Sequence, residues 1–294
     1  MHLYINSYIS SPGKTTRILN EYGIKLKKSL GQNFLIDTNS AKKIVKCAGV
    51  NSKDIILEIG SGIGGLTEII IGKAEKVVCV EIDKLLIKAF KDIFRERLKG
   101  EKLELIETDA LKLNYRDIAR KYKINKVVSN LPYSIAAPLL LKILLEAETI
   151  KTMFLTIQKD IGGRLLASTG DKNYSSYTVK ANFLADFNFY FQISRNCFIP
   201  CPFVDSVVIK VSRKDNKHLI GSKWDIKDFF NFVNSCFLHR RKKLINSLCQ
   251  NNTRYCDKME LIVELLSEIG KDKNVRAEEL SLKDYIYLYE KLNT

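Results

Sequence analysis

The stretch ILEIGSGIGGLTEII, residues 56–70, decides the fold class of this 294-residue chain. An apolar run passes directly into a turn with glycines at positions 60, 62, 64 and 65, and a mainly apolar segment follows. A glycine-rich turn between a buried strand and a helix is typical of open α/β sheets, in which ligands bind beyond the carboxyl ends of the strands. Glycine lets a ligand approach the backbone, and the following helix offers free N–H groups. The stretch therefore predicts a ligand site at the end of the first sheet strand.

Similar apolar, β-branched runs start every 22 to 26 residues, with segments of helical period between them. This spacing is the length of one strand-plus-helix unit, and strands that are apolar on both faces indicate a parallel sheet covered by helices. Two later extended runs follow without a full crossover helix and predict an antiparallel edge. The seven runs are IILEI (55–59), VVCVE (77–81), LELIE (103–107), KVVSN (126–130), TMFLTI (152–157), FNFYFQI (187–193) and SVVIKVS (206–212).

The strand pattern stops after residue 212, and only segments of helical period follow. We therefore predict an α/β fold with two domains. Residues 1–213 form a Rossmann-like domain with a mostly parallel seven-stranded sheet and a basic N-terminal extension. Residues 214–294 form a smaller, all-helical domain.

The charge of the chain points to a polyanionic partner. The formal net charge is +15, and the positive residues are clustered. Residues 1–53 carry nine Lys or Arg against two acids, and HRRKK occupies residues 239–243. Two dense basic clusters in so basic a chain favour a nucleic acid over a merely solvated surface.

Other features exclude function classes. The sequence lacks an apolar run near the roughly 20 residues that span a bilayer, and its N-terminus lacks a secretory signal, so we expect no membrane partner. Seven irregularly spaced cysteines and only three histidines make a metal site improbable, so we expect no metal. The cysteine pattern fits a reducing compartment, and we expect a cytoplasmic protein.

The glycine turn fits two cofactor classes. Gly60-x-Gly62-x-x-Gly65 matches a dinucleotide fingerprint, and the same turn read from Glu58 matches the E-x-G-x-G-x-G of S-adenosylmethionine enzymes. Glu81 ends the second strand, where a carboxylate accepts from ribose hydroxyls in either class; a helix cap is the alternative. A lone acid such as Glu58 inside an apolar strand is costly unless something binds it. The ammonium group of a methionine moiety would do so, which favours S-adenosylmethionine.

Two further strand ends complete the predicted site. Asp109, after the third strand, suits the adenine amino group of the cofactor, with an N-cap as the alternative. The segment KVVSNLPYS (126–134) ends the fourth strand with an amide, a rigid kink and an aromatic ring. The Asn130 side-chain oxygen and the Leu131 carbonyl could each accept one hydrogen of an adenine N6 amino group, with Pro132 fixing the backbone. Tyr133 would stack on the base. We expect direct methyl transfer driven by orientation.

The sequence resembles the KsgA/RsmA family of small-subunit ribosomal RNA adenine dimethyltransferases nearly from end to end. The resemblance is carried by EIGSGIGGLT, VEID, TDAL and VSNLPYSIAAPLL in the predicted sheet. KKSLGQNFLID (27–37), FIPCPFVDSVV (198–208), FLHRRKKLINSL (237–248) and VRAEELSLKDY (275–285) extend it toward both termini. The resemblance implies a class I methyltransferase fold and an N-terminal segment that closes over the cofactor. It also implies that Phe198 is a second aromatic wall, sandwiching the target base with Tyr133.

The predicted site has three groups of residues. The catalytic group comprises Asn130, Leu131, Pro132, Tyr133 and Phe198. The group that binds S-adenosylmethionine comprises Gln32, Asn33, Leu35, Glu58, Gly60, Gly62, Glu81, Ile82, Asp109, Ala110 and Asn130. The RNA-binding group comprises Lys25, Lys27, Lys28, Arg240, Arg241, Lys242 and Lys243, and we expect the helical domain of residues 214–294 to bind rRNA.

The resemblance implies that the enzyme dimethylates two adjacent adenosines near the 3′ end of 16S rRNA, in a nearly assembled small subunit. We expect a monomer. The alternative is a macrolide-resistance methyltransferase acting on 23S rRNA, which shares the QNF segment and an N-[IL]-P-[YF] turn. The segments HRRKKLINSL and RAEELSL argue against it.

Overall fold

The computed structural model of the chain describes residues 8–27, 30–215, 225–251 and 253–293. They form two compact units. The first contains the residues up to Gly162 together with Phe187–Arg213, and the second contains Gly163–Asp186 together with the residues from Lys214 onward.

The first unit is built around a seven-stranded sheet and a short two-stranded one. Its strands are β1 (Phe34–Leu35), β2 (Ile55–Ile59), β3 (Lys76–Glu81), β4 (Leu103–Glu107), β5 (Lys126–Asn130), β6 (Thr152–Gln158), β7 (Ala185–Ile193), β8 (Phe198–Ile199) and β9 (Ser206–Arg213). Its helices are α1 (Pro12–Glu21), α2 (Thr38–Cys47), α3 (Thr67–Ile70), α4 (Lys84–Ile93), α5 (Arg95–Leu98), α6 (Tyr115–Lys121), α7 (Ala136–Glu146) and the start of α8 (Lys159–Leu165).

The large sheet has the order β4-β3-β2-β5-β6-β9-β7. The five neighbouring strands β4, β3, β2, β5 and β6 are parallel, and β9 pairs with β6 in the antiparallel sense. The predicted Rossmann-like fold, its seven strands and its antiparallel edge are therefore confirmed. The strand order reverses at β2, which lies between β3 and β5, and this reversal is where open α/β sheets bind ligands.

Strands β2 and β5 separate near their carboxyl ends. Their backbone pairing runs only through Ile56–Lys126 and Leu57–Val127. Beyond it the Ser129 hydroxyl bridges the gap, donating to the Ile59 carbonyl at 2.6 Å and accepting from the Ile59 N–H at 3.2 Å. The serine side chain replaces a backbone ladder, so the polar groups stay paired while the crevice opens.

The second unit is helical. It contains α9 (Ser176–Leu184), α10 (Ile226–Cys236), α11 (Leu244–Asn251), α12 (Thr253–Cys256), α13 (Met259–Glu268) and α14 (Leu282–Asn293). Its core is aromatic. Phe229 of α10 is buried and packs 5.3 Å from Tyr289 of α14, measured between ring centroids.

The unit boundary differs from the predicted division at residue 213. Residues 163–186, which we assigned to the first domain, belong to the helical unit because α9 packs into its aromatic core. The Phe183 ring lies 5.0 Å from that of Phe229. The chain returns to the first unit at Phe187, and its third crossing between the units falls between Arg213 and Lys214, where the sequence pattern changes.

Candidate active site

A cavity lies at the carboxyl ends of β2, β3, β4 and β5 in the first unit. The eleven predicted cofactor-binding residues line it, as do Leu131 and Pro132 of the predicted catalytic group. Residues that are up to 100 positions apart in the chain, from Gln32 to Pro132, therefore line one cavity.

The glycine turn after β2 has no room for side chains. Gly60 has φ +71°, and a Cβ there would lie 2.8 Å from the Pro132 ring. Gly62 has φ +57°, and a Cβ there would lie 2.7 Å from the Phe34 ring. Both glycines are required by backbone conformation and by close packing. The turn is thereby held against the segment that ends β5.

Glu81 organises the end of β3. One carboxylate oxygen accepts from the Gly62 N–H at 2.9 Å, and the other accepts from the N–H groups of Ile82 and Asp83 at 2.9 and 3.0 Å. Burial nevertheless raises the pKa of this carboxyl. A carboxylate oxygen can accept a second hydrogen bond, so Glu81 keeps capacity for ribose hydroxyls.

Asp109 follows β4 and lies in the cavity wall. Its Oδ1 accepts from the Leu111 N–H at 2.9 Å, which is the local turn that a capping acid makes. This contact closes a local turn and caps no helix, because the next helix, α6, begins only at Tyr115.

Glu58 lies under the glycine turn and is only 2 % exposed. Its carboxyl accepts from the Thr67 hydroxyl at 2.6 Å, and burial raises its pKa to about 8. An ammonium group bound beside it would favour the ionised form.

At the end of β5, only one end of the Asn130 side-chain amide has a hydrogen-bond partner among the described residues. Its Nδ2 donates to the Asn33 carbonyl at 3.0 Å. Its Oδ1 is buried and has no hydrogen-bond partner within the described residues. Buried acceptors are nearly always paired, so this oxygen indicates that a donor belongs there.

Tyr133 and Phe198 differ from the predicted sandwich. Their rings meet edge to face, with centroids 6.3 Å apart at 63°. Tyr133 is 8 % exposed and Phe198 2 %, and the Tyr133 hydroxyl is hydrogen-bonded to Ser206. Because the edge of one ring meets the face of the other, this conformation has no slot for a base between them. Neither ring lines the cavity.

The N-terminal segment reaches the cavity as the resemblance implies. Gln32, Asn33 and Leu35 line it, and β1 pairs with β8 through Phe34–Ile199 and Leu35–Phe198. The sequence reasoning missed Asp83, which binds this segment. The available signal was its position directly before an apolar helical run, which is typical of a helix cap.

The predicted RNA-binding residues fall into different environments. Lys27 forms an ion pair with Asp83, with Nζ 2.7 Å from Oδ2, so it is not the free surface cation that we expected. Lys25 is exposed, and Lys28 lies outside the described residues. In the helical unit Arg240 donates to the Lys172 carbonyl, whereas Arg241, Lys242 and Lys243 are exposed.

Comparison with known proteins decides the family. Residues 23–292 match the profile of the family described as "Ribosomal RNA adenine dimethylase". The chain belongs to the ribosomal RNA adenine dimethylase family. The resemblance read from the motifs and the predicted enzyme class are confirmed.

Relatives within the dimethylase family match over almost the whole chain. The "Ribosomal RNA small subunit methyltransferase A" of Geobacillus thermodenitrificans is 36% identical, over 95% of this chain and 95% of its own length. The protein of the same name from Halothermothrix orenii is 34% identical, over 97% and 94%.

Solved structures agree with the fold. A dimethyladenosine transferase from Plasmodium falciparum has a TM-score of 0.72 at 27% identity, covering 87% of this chain and 96% of its own. The 23S rRNA methyltransferase ErmE has a TM-score of 0.63 at 25% identity, covering 88% and 99%.

In the described part of the chain no helix is long and apolar enough to cross a membrane.

The cavity fits S-adenosylmethionine on the chain's own features. The glycine turn brings its backbone to the cavity wall, and carboxylates stand at the ends of three neighbouring strands. The unpaired Asn130 oxygen lies in the same wall.

Proposed function

We propose that this enzyme transfers methyl groups from S-adenosylmethionine to the N6 atoms of two adjacent adenosines near the 3′ end of 16S rRNA, methylating each twice. The observation that carries the proposal is the buried, unpaired Oδ1 of Asn130. An adenine amino group is a donor of the kind this oxygen lacks, and the oxygen lies at the edge of the cofactor cavity.

Orientation is the catalytic contribution of the turn. The lone pair of an adenine amino nitrogen is shared with the ring, so it must be turned out of conjugation before it attacks. In the first transfer Asn130 Oδ1 and the Leu131 carbonyl accept one N6 hydrogen each, and in the second transfer one of them accepts the single hydrogen that remains. Within the described chain the Leu131 carbonyl accepts no other hydrogen bond. The nitrogen releases its proton to water.

S-adenosylmethionine, when bound, would supply the methyl group and leave as S-adenosylhomocysteine. In the proposal Glu81 accepts from its ribose hydroxyls, and Asp109 with Ala110 and Ile82 holds its adenine. Glu58 lies below the glycine turn, where it accepts the ammonium end directly or through water. Tyr133 and Phe198 form the base site once their rings separate to admit the target adenine.

The names of the curated relatives favour a small-subunit substrate over the large-subunit alternative. We propose a nearly assembled small subunit as the substrate and a cytoplasmic monomer, without a metal, as the enzyme. Exposed cations at residues 241–243 support phosphate contacts, which fix register without reading sequence.

The decisive experiment supplies tritiated S-adenosylmethionine and small subunits that lack the two dimethyladenosines. Wild type is compared with Tyr133→Ala, with large subunits and duplex DNA as further substrates, and products are identified by nucleoside mass spectrometry. We expect N6,N6-dimethyladenosine in small subunits only, with a strong loss in the variant. Label in large subunits would show that the alternative, a 23S rRNA methyltransferase, is correct. Label in no substrate would overturn the proposed reaction.

A further inference from the structure

One short segment contacts both turns of the site. We call residues 30–36 the strap. A Cβ on Gly31 of the strap would lie 2.6 Å from the Ser134 backbone nitrogen, directly behind the Asn130–Tyr133 turn. The Phe34 ring packs on Gly62 of the glycine turn. Any shift of the strap therefore reaches both sides of the site.

The strap is anchored at one buried carboxylate. Asp83 Oδ2 accepts from Lys27 Nζ at 2.7 Å and from Gln32 Nε2 at 3.2 Å. Gln32 Oε1 in turn accepts from the Lys27 N–H at 2.7 Å. The Asp83 side chain is 3 % exposed, and its Oδ1 caps α4 by accepting from the Leu85 N–H at 2.9 Å. A fixed helix end therefore holds the strap.

The strap determines how the Asn130 amide is turned. The Asn33 carbonyl can only accept, so it binds the NH₂ end of Asn130 at 3.0 Å. That contact leaves Oδ1 as the end without a partner in the described chain. A flipped amide would place two oxygens against each other and lose the hydrogen bond. The unpaired oxygen is therefore presented by the strap.

We propose that Lys27 and Asp83 are positioning residues for the methyl transfer, because they hold the Asn33 carbonyl against the Asn130 amide. The inference rests on the proposed function, since it assigns the presented oxygen to the target amino group. It also gives Lys27 a role other than the phosphate contact predicted from its charge.

The kinetic test compares Lys27→Met and Asp83→Asn with wild type at saturating cofactor and saturating small subunits. Asparagine still caps α4 well, so Asp83→Asn isolates the loss of the anchor charge. We expect each variant to lower kcat about tenfold, the loss typical of one charge-assisted hydrogen bond. Lys27→Arg, which keeps the positive charge, should keep most of the wild-type kcat. Lys99→Met, which removes an exposed ion pair with Glu96 in the same unit, should leave kcat unchanged.

A double-mutant cycle separates positioning from a general loss of structure. Because the anchor acts through Asn130, Lys27→Met should cost nothing further in single-turnover rate when Asn130→Ala is already present. Independent, multiplying losses would overturn the proposal. So would a raised KM for small subunits with an unchanged kcat, which is the result expected of a phosphate contact.

A spectroscopic readout needs no activity. In ¹⁵N spectra of the ligand-free protein, the Asn130 side-chain NH₂ signal, assigned by its absence in Asn130→Ala, should show slow hydrogen exchange. It should lose that protection in Lys27→Met and keep it in Lys99→Met. Retained protection in Lys27→Met would overturn the inference even if wild type methylates small subunits. Lost protection would support the inference even if the substrate assignment failed.

Discussion

The pocket edge and the basic cluster at residues 239–243 carry equally plain sequence signals, but they are built differently. At the pocket edge backbone groups hold the side chains in position: three backbone N–H groups hold Glu81, and the Asn33 carbonyl of the strap holds the amide nitrogen of Asn130. In the cluster Arg241, Lys242 and Lys243 are exposed. A role that depends on one atom's position is lost with one substitution, whereas a role that depends on summed charge is lost in small steps.

The largest effect is expected for Asn130→Ala. Removing the oriented acceptor should lower the single-turnover rate by about 10²–10³-fold, as for other preorganised polar groups. The free energy of unfolding should change by about 1 kcal/mol or less, because only one neutral hydrogen bond is lost. Asn114→Ala is the matched control. Asn114 caps α6, so this substitution should lower stability and leave activity unchanged. Normal turnover by Asn130→Ala would show that catalysis does not depend on the position of the Asn130 oxygen.

A second substitution tests whether the glycine turn is fixed by its neighbours. Gly60→Ala combines left-handed strain of about 1–2 kcal/mol with overpacking against Pro132 of about 1–3 kcal/mol. Gly49→Ala is the matched control, because Gly49 has φ +57° and open space at the Cβ position, so only the strain applies. Urea unfolding should show the larger loss for Gly60→Ala, and calorimetry should show weakened cofactor binding only there. Equal losses would mean that Pro132 moves aside freely.

Glu58 provides a pH test within the pocket. Its pKa is about 8 in the folded protein, against about 4.3 in an unfolded chain. Between these values the folded state holds a proton that the unfolded state has lost. The free energy of unfolding therefore falls as pH rises, by at most about 1.4 kcal/mol per pH unit, and the loss is complete above pH 8.

Glu58→Gln should remove this dependence. In urea unfolding of the ligand-free proteins between pH 5.5 and 7.5, the variant should gain stability relative to wild type as pH rises. A stability difference that stays constant across this range would show that Glu58 is ionised when buried.

The smallest effects are expected in the basic cluster. Arg241→Ala and Lys243→Ala should each weaken small-subunit binding, and the weakening should not depend on the rRNA sequence at the contact. Each should also reduce the slope of log affinity against log salt concentration by roughly 1. Thermal stability should stay at the wild-type value, because both side chains are exposed. Lys25→Ala, in the first unit, gives the comparison with an exposed cation elsewhere. A loss from one substitution as large as that of Asn130→Ala would erase the contrast between the two regions.

The sequence alone determined the sheet and most of its functional edge. Strand runs such as IILEI and KVVSN are short, apolar and regularly spaced, and a parallel sheet brings their carboxyl ends together without further information. Gly60, Glu81, Asp109 and Asn130 were predictable because each lies at the end of such a run or within two residues after it. Their position is a consequence of local pattern and chain topology.

Only the tertiary structure decided which side chains pair across the chain. Lys27 looks like one basic residue among many, yet it lies on Asp83, 56 positions away. The edge-to-face packing of Tyr133 on Phe198 and the placement of residues 163–186 in the helical unit depend on contacts of the same long range. Backbone periodicity places a residue on an element. The partner of a long side chain is set by which elements pack together, and no local pattern records that.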